Sequence, residues 1–351
     1  ADSVVSEGIP YFSSAGNDGQ NSYVAPFRNA GTPGVISDTS ASHDFDPSAG
    51  AVDTLQKITI QKDGSFSLFT FQWSDPSFLV SGSDPADTDF NIALVNDTLG
   101  VMASSTRDSN EDGFGVPFED LSFVNTGNDT TDTNGDDVPD TTFHLVIERA
   151  AGPSSNAPGP APNRLKYIYS GSGYTIVDDY GATGNPTVYG HPMAEKAMAV
   201  AAAPYFNTQN EYSCTDCPQL ESFSSEGGIP ILFDQNGDAV STPIVREKPD
   251  VTAADGINNT FFGNGDYEGD GNPNFFGTSA AAPNVAAIAA LILEANPGYS
   301  PAELYTHLET NATDVTTRIR EGGGTESIAG GVDPWSGHGF VQAAASALPV
   351  E

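Results

Sequence analysis

The stretch FFGTSAAAPNVAAIAALILEAN, residues 275–296, limits the fold more than any other part of the chain. A helix made almost wholly of Ala and small aliphatics is apolar on every side, so it must be buried against other elements. Ala280, Ala281 and Ala282 let it lie close against a sheet. Gly277 permits a sharp turn just before it, and Pro283 is tolerated because it still falls in the first turn. Ser279 then sits at the helix N-terminus, where free N–H groups and the positive end of the dipole face outward. Two roles are open to it there. It can cap a buried helix, for which Ser is a favoured residue, or act as a nucleophile whose oxyanion is held by its own backbone N–H.

At 351 residues the chain has room for a full core and for two domains. No apolar run reads as long enough to span a membrane. Lys and Arg total 12 against 47 Asp and Glu, a net charge of −35 with a pI near 4.1. That field repels nucleic acid and anionic membranes, so neither is expected as a partner. It suits a secreted protein in salty, calcium-containing or acidic surroundings, with most carboxylates simply solvated. The two cysteines, Cys214 and Cys217, stand in a polar loop with no His at zinc-ligand spacing. A small structural disulfide in an extracellular protein is the expectation.

The texture of the sequence changes twice. GIPYFSSAGNDG, residues 8–19, reads as a short buried strand running into a turn at Gly16–Asn17. From about residue 47, LQKITIQKDGSFSLFTFQW alternates apolar and polar residues about a Gly turn, as paired antiparallel strands do. DTDFNIALVND, TTFHLVIERA and RLKYIYSGSGYTIV repeat that period between Asp- and Gly-rich loops, with AGPSSNAPGPAPN as a Pro-rich spacer. Residues 47–178 are therefore read as an antiparallel β-sandwich domain. Helical texture returns with HPMAEKAMAVAAAPYF, residues 191–206, a short helix feeding a buried strand. SPAELYTHLETNA carries a capping box formed by Ser300 and Glu303. The outer segments, 1–46 and 179–351, are accordingly α/β.

Taken in order, the outer segments resemble the subtilisin-like serine peptidases. GTSAAAP at 277–283, followed by a small-residue helix, is similar to the family's nucleophile motif. SSAGNDG at 13–19 resembles its oxyanion segment, with Asn17 as the donor residue. GHPMAEKAMAVAA is similar to the segment leading into a core strand. ESFSSEG and KPDVTAADG resemble a further pair, with Ala254 where the family usually carries Pro, and SGHGFVQAAASAL resembles the closing element. The resemblance covers residues 1–45 and about 180–351. It implies an α/β subtilisin-like fold, a doubly wound parallel sheet incomplete in this chain, with the β-sandwich inserted. It also implies that Ser279 attacks a substrate carbonyl while the Ser279 N–H and the Asn17 side chain hold the oxyanion. The expected activity is that of a secreted serine endopeptidase acting on protein or peptide substrates.

In that family the chain order is Asp, His, Ser, with the oxyanion Asn between His and Ser. Sixteen residues precede Asn17 and none is His. His43, His144, His191, His307 and His338 match none of the family's base positions. The expectation is therefore the C-terminal portion of a longer enzyme, inactive alone, whose Asp and His come from an upstream segment of the same protein as a second chain. Sedolisins share the fold, use upstream Glu and Asp in acid, and carry Asp where this chain has Asn17. Asn17 favours the subtilisin-like site, and the low pI keeps the acid version as an alternative. A non-catalytic scaffold of this fold, serving adhesion or assembly, is a third reading.

DTNGDDVPD, residues 132–140, places Asp132, Asn134, Asp136 and Asp140 at alternating positions with the Val138 carbonyl between them. Oxygens at that spacing wrap Ca²⁺. Asp137 stands where such loops carry Gly, and Phe143 where an EF-hand has its Glu, so the loop is closer to thrombospondin-type or dockerin repeats. NGDYEGDGN, residues 264–272, offers Asp266, Glu268 and Asp270 for a second cation or a substrate subsite, or is an acidic loop. The β domain is expected to bind substrate matrix or to stabilise the enzyme.

Overall fold

The computed structural model describes the chain except for residues 49, 83–85, 87, 110–114, 128–140, 151–162, 178–179, 183, 209–215, 262–264 and 344–351. It divides into two compact units, one of residues 1–20, 186–230 and 245–351, the other of residues 21–185 and 231–244. The second unit starts at Asn21, not after residue 46. Ser22–Ala25, Asn29–Pro33 and Ala41–His43 are strands of its sheet, and Tyr23, Phe27 and Phe45 enter its core. The Asn, Gly and Pro residues of this segment hid the strand pattern. Large aromatics took the segment into the β unit.

The first unit is built on three parallel strands in the order Phe12–Ser14, Met198–Pro204, Val251–Asp255. Every residue of MAVAAAP in the middle strand is buried, as a parallel strand covered on both faces requires. Met198, Val200 and Ala202 pack with Ala281, Ala282, Val285, Ala289 and Ile292 of the helix Thr278–Ala295. Ala201 and Ala203 pack on the other face with Leu220, Val315 and Phe340. Leu220 belongs to the small strand Gln219–Leu220, which pairs with Thr317–Ile319 and through it with Thr325–Ser327. Among the described residues helices cover one face of this three-stranded sheet.

Two further expectations change. Of the short helix and buried strand expected at 191–206, the strand forms as Met198–Pro204, while the helix is reduced to one 3₁₀ turn, His191–Met193. The helix Thr278–Ala295, at a mean hydropathy of 1.4, is long and apolar enough by composition to cross a membrane. Here its apolar side lies on the sheet instead. The helix Pro301–Thr310 opens on the reciprocal box, with Ser300 Oγ accepting from Glu303 N–H and Glu303 Oε2 accepting from Ser300 N–H at 2.8 Å. Beneath the sheet, buried Lys248 donates to Asp250 Oδ2 at 2.7 Å and to the Ala197 carbonyl at 2.6 Å.

The second unit is antiparallel. Its spine is one 18-residue strand, Gln56–Trp73. The Gly turn expected inside it does not form. Asp63 takes a positive φ of 63°, its N–H donates to the Asn125 carbonyl, and the Asn125 N–H returns to the Gly64 carbonyl. The chain therefore bends and continues. Gln56–Thr59 pairs with Leu145–Thr142, whereas Ser65–Gln72 pairs with Val124–Phe118. A register shift between Leu68 and Phe71 leaves Phe69 48% exposed and returns Phe71 and Trp73 to the buried phase, as a bulge does. Pairing runs through all nine strands. The region read as a sandwich is therefore bonded as one nine-stranded sheet, and the strands Pro230–Phe233 and Ala239–Val245, which fall largely in this unit, form a separate two-stranded sheet. Alternate residues of these strands, among them Ile58, Phe66, Phe71, Phe90, Phe143 and Tyr167, meet in a single aromatic core.

Candidate active site

Asn17 and Ser279 both belong to the first unit. The Phe12–Ser14 strand delivers the chain to Gly16, whose φ is +119°. Residues 223–225 hold the loop that follows. Asp18 N–H donates to Ser225 Oγ at 3.1 Å, Gly19 N–H to the Phe223 carbonyl at 2.8 Å, and Ser225 N–H to the Gly16 carbonyl at 3.0 Å. A Cβ on Gly16 would meet Ser225 Oγ at 2.7 Å, so this close approach needs glycine.

The helix carrying Ser279 begins at Gly277, its N-cap residue, with φ +128°. Ser279 is therefore not the cap, which removes the structural role left open by its sequence. It is exposed in the first turn between buried Thr278 and Ala280, and among the described residues no hydrogen bond engages its hydroxyl. Thr278 ties the two segments together. Its N–H donates to Asn17 Oδ1 at 2.9 Å and its hydroxyl to the same oxygen at 2.8 Å. A backbone N–H can only donate, so the Asn17 oxygen must face Thr278 and the amide Nδ2 remains as a donor. A Cβ on Gly277 would lie 3.1 Å from that Nδ2. The Gly-Thr-Ser order thus gives a turn, a clamp on Asn17 and an exposed hydroxyl.

Carboxyl groups lie around this turn. Asp255 Oδ2 accepts from Gly277 N–H at 2.6 Å, and burial pushes the Asp255 carboxyl up to about 7. Glu221 is pushed up to about 8, first by burial and then by the charge of Asp255. Asp18, next to Asn17, is raised by burial to about 6. Sequence reasoning missed Glu221 and Asp255. The available signal was an acidic residue ending the otherwise apolar strand VTAAD.

The histidines are occupied elsewhere. In the second unit, His43 Nδ1 accepts the Arg28 N–H at 3.2 Å and its Nε2 lies 2.7 Å from Tyr23 Oη. Burial and the Arg28 charge drop its pKa to about 3, so it is a neutral core residue. His144 bonds Asp97 at 3.0 Å. In the first unit, His191 packs edge-on to Tyr11, His307 against Tyr299, and His338 lies 3.9 Å from Glu309.

The metal expectations fare differently from one another. Asp132, Asn134, Asp136, Val138 and Asp140 lie outside the described residues. In the loop before the helix, Asp266 is spent on the N–H groups of Gly269, Asp270 and Gly271, and Asp270 on Asn258 and Asn272. Among the described residues no group of three His, Cys, Asp or Glu is placed to hold a metal ion. Cys217 is disulfide-bonded, and Cys214 lies outside the described residues.

A family profile described as "Subtilase family" matches residues 83–330. The chain is 31% identical over 194 residues to a "Calcium-dependent protease" of Trichormus variabilis, covering 53% of this chain and 27% of that protein. It is 30% identical over 199 residues to a protein of the same description from Nostoc sp., with the same coverage of each. The chain thus spans about a quarter of the length of these relatives. Among solved structures, MycP1 with its N-terminal propeptide removed matches at 22% identity over 35% of each chain, with a TM-score of 0.21. MycP1 from Mycobacterium smegmatis matches at 16% identity, with a TM-score of 0.21, over 45% of this chain and 31% of that one. Scores that low add nothing to the fold.

Proposed function

Because the chain belongs to the subtilase family, we propose that it is the nucleophile-bearing portion of a secreted serine endopeptidase that hydrolyses peptide bonds. One observation carries the reading: Thr278 takes both of its donors to Asn17 Oδ1, leaving Asn17 Nδ2 as a donor next to Gly277, two residues before the exposed Ser279 in the first turn of the helix. In this reading Ser279 Oγ attacks the scissile carbonyl, and the oxyanion forms between Asn17 Nδ2 and the Ser279 N–H. The helix dipole adds to that stabilisation. Among the described residues no histidine is hydrogen-bonded to Ser279, and in this reading the general base comes from the Asp and His of another segment of the same protein. The β unit then serves stability or substrate attachment.

The relatives' description as calcium-dependent, together with the spacing of Asp132, Asn134, Asp136, Val138 and Asp140, supports a structural Ca²⁺ on that loop. Calcium removal with EGTA should lower the melting temperature of the second unit, with re-addition restoring it.

The deciding experiment is fluorophosphonate labelling of the whole enzyme, followed by intact-mass and peptide analysis. Labelling confined to Ser279, absent in Ser279→Ala and accompanied by a co-migrating polypeptide that carries the base, supports the peptidase. A folded, assembled protein that takes up no probe is the scaffold instead.

A further inference from the structure

Ahead of the Ser279 helix four rings meet in a surface cluster that no step above uses. Tyr205 and Phe206 leave the carboxyl end of the middle strand Met198–Pro204, Tyr267 lies in the acidic loop, and Phe276 precedes the Gly277 cap. Phe206 stacks on Tyr267, with centroids 5.1 Å apart and planes 7° from parallel. Phe276 stands edge-on to both, 6.3 Å from Phe206 and 6.1 Å from Tyr267, and Tyr205 stands edge-on to Phe206 at 5.2 Å. The backbone fixes this arrangement. Buried Asn274 accepts the Tyr267 N–H on Oδ1 at 2.6 Å and donates to the Gly256 carbonyl at 2.8 Å. Gly256 has a φ of +72°, and a Cβ there would run into the Phe276 ring, so this seat needs glycine. Even so, Tyr267 stays 70% exposed and Phe276 36%. One face of Tyr267 lies on Phe206, so the open area belongs to the other.

Charge decides what can cover that face. Neither residues 204–220 nor residues 250–279 include a Lys or Arg. Of the three acids in the loop, Asp266 and Asp270 are spent on the loop itself and on Asn258. Glu268 instead reaches the rings. Its exposed carboxylate accepts from the side chains of Tyr205 and Asn274, which tethers it at their rim with acceptor capacity to spare. An arginine answers both features, because its planar guanidinium stacks on a ring while giving N–H groups to a carboxylate. The chain makes that combination once within itself, where Arg318 lies 3.7 Å over the Trp335 ring and bonds Glu326. The other cations of this unit are also committed: Lys196 to Ser6, Arg246 to the Met193 carbonyl, Lys248 to Asp250 and Arg320 to Glu326. The cation for the Tyr267 face is therefore left to a ligand.

Phe276 stands three residues before Ser279, and three residues of chain span at most about 11 Å. An extended peptide with its carbonyl at Ser279 Oγ would thus bring a side chain from a few residues away onto the rings. Tyr205 and Gly256 both follow the carboxyl ends of parallel strands, where ligands of open α/β sheets bind. We propose that Phe206, Tyr267, Phe276 and Glu268 form a specificity subsite that takes an arginine side chain of the peptide substrate, a few residues from the bond that is cut. Its place along a substrate rests on the peptidase reading; the binding of arginine to the rings does not.

The test begins with aromatic ¹³C NMR of the full chain, titrated with three blocked tripeptides that carry arginine, its neutral isostere citrulline, or phenylalanine between two alanines. The arginine peptide should move the Tyr267 and Phe206 ring signals and bind about tenfold more tightly than the citrulline peptide, with the difference shrinking as salt is added. Glu268→Gln, an exposed change that leaves the rings in place, should erase that difference. Ring signals that ignore the arginine peptide, or that respond as strongly to citrulline or phenylalanine, would overturn the proposal. In the assembled enzyme, peptide substrates with arginine or citrulline at each position around the cleaved bond should differ about tenfold in kcat/KM at one position. Glu268→Gln should bring that ratio close to one. Fluorophosphonate uptake at Ser279 with a flat ratio at every position sinks the subsite alone. Arginine binding by a folded, assembled protein that never takes the probe refutes the peptidase reading alone.

Discussion

The two units solve the packing problem with opposite materials. The first uses Ala and Val, so that the Thr278–Ala295 helix can rest on Met198–Pro204. The second uses aromatics, with Tyr23 stacked on Tyr167 at 4.9 Å and 8°, and with Phe90 at 5.2 Å from both Phe27 and Trp73. Large side chains fill the space enclosed by a bent sheet and bury much area each. Small ones bury less, but they let backbones approach. The candidate site is in the unit of small residues because a clamp such as Thr278 on Asn17 needs two backbones brought close together.

That contrast predicts unequal responses to substitution. Truncation should hurt most in the aromatic core. Phe71→Ala should cost about 3–5 kcal/mol in chemical denaturation, and a loss below about 1 kcal/mol would mean that the core is loosely packed. Next comes the clamp. Asn17→Ala should slow fluorophosphonate labelling by about 10²–10³, a magnitude known from a subtilisin and not from this chain, and should also lower the melting temperature, because the buried Thr278 N–H and hydroxyl lose their shared acceptor. Enlargement should be the weakness of the small-residue core. Ala281→Leu should cost about 1–3 kcal/mol by lifting the helix off the sheet, whereas Leu94→Met in the aromatic core should cost less than about 1.5 kcal/mol. The smallest effect lies at the surface, where Ser300→Ala should remove about 1 kcal/mol through loss of the capping box. If Ala281→Leu were neutral while Phe71→Ala stayed costly, the close approach of helix and sheet would not be what limits the first unit.

Several elements were legible before any coordinates. The Ala helix, the buried strand MAVAAAP and the Ser300–Glu303 box each follow from periodicity or local chemistry. The strand Gln56–Trp73 was legible in composition but misread in path. Asp63–Gly64 looks like a hairpin turn, yet the Asn125 backbone pairs with it from across the sheet and the strand carries on. The early strands around Tyr23 and Phe45 were missed because Gly, Pro and Asn interrupt their alternation. Glu221 and Asp255 were missed because each looks like an ordinary surface acid until its neighbours are known.

By itself the sequence determined which residues must be buried, where a helix can start, and that Ser279 would fall in a first turn, because these depend on side-chain size, periodicity and backbone preference within a few residues. Only the tertiary structure decided that Thr278 would clamp Asn17 across 261 positions of chain, that Gly277 and not Ser279 would cap the helix, and that Glu221 and Asp255 would be buried. Burial and hydrogen-bond partnership across such separations are properties of the packed chain, and a local pattern carries no record of them.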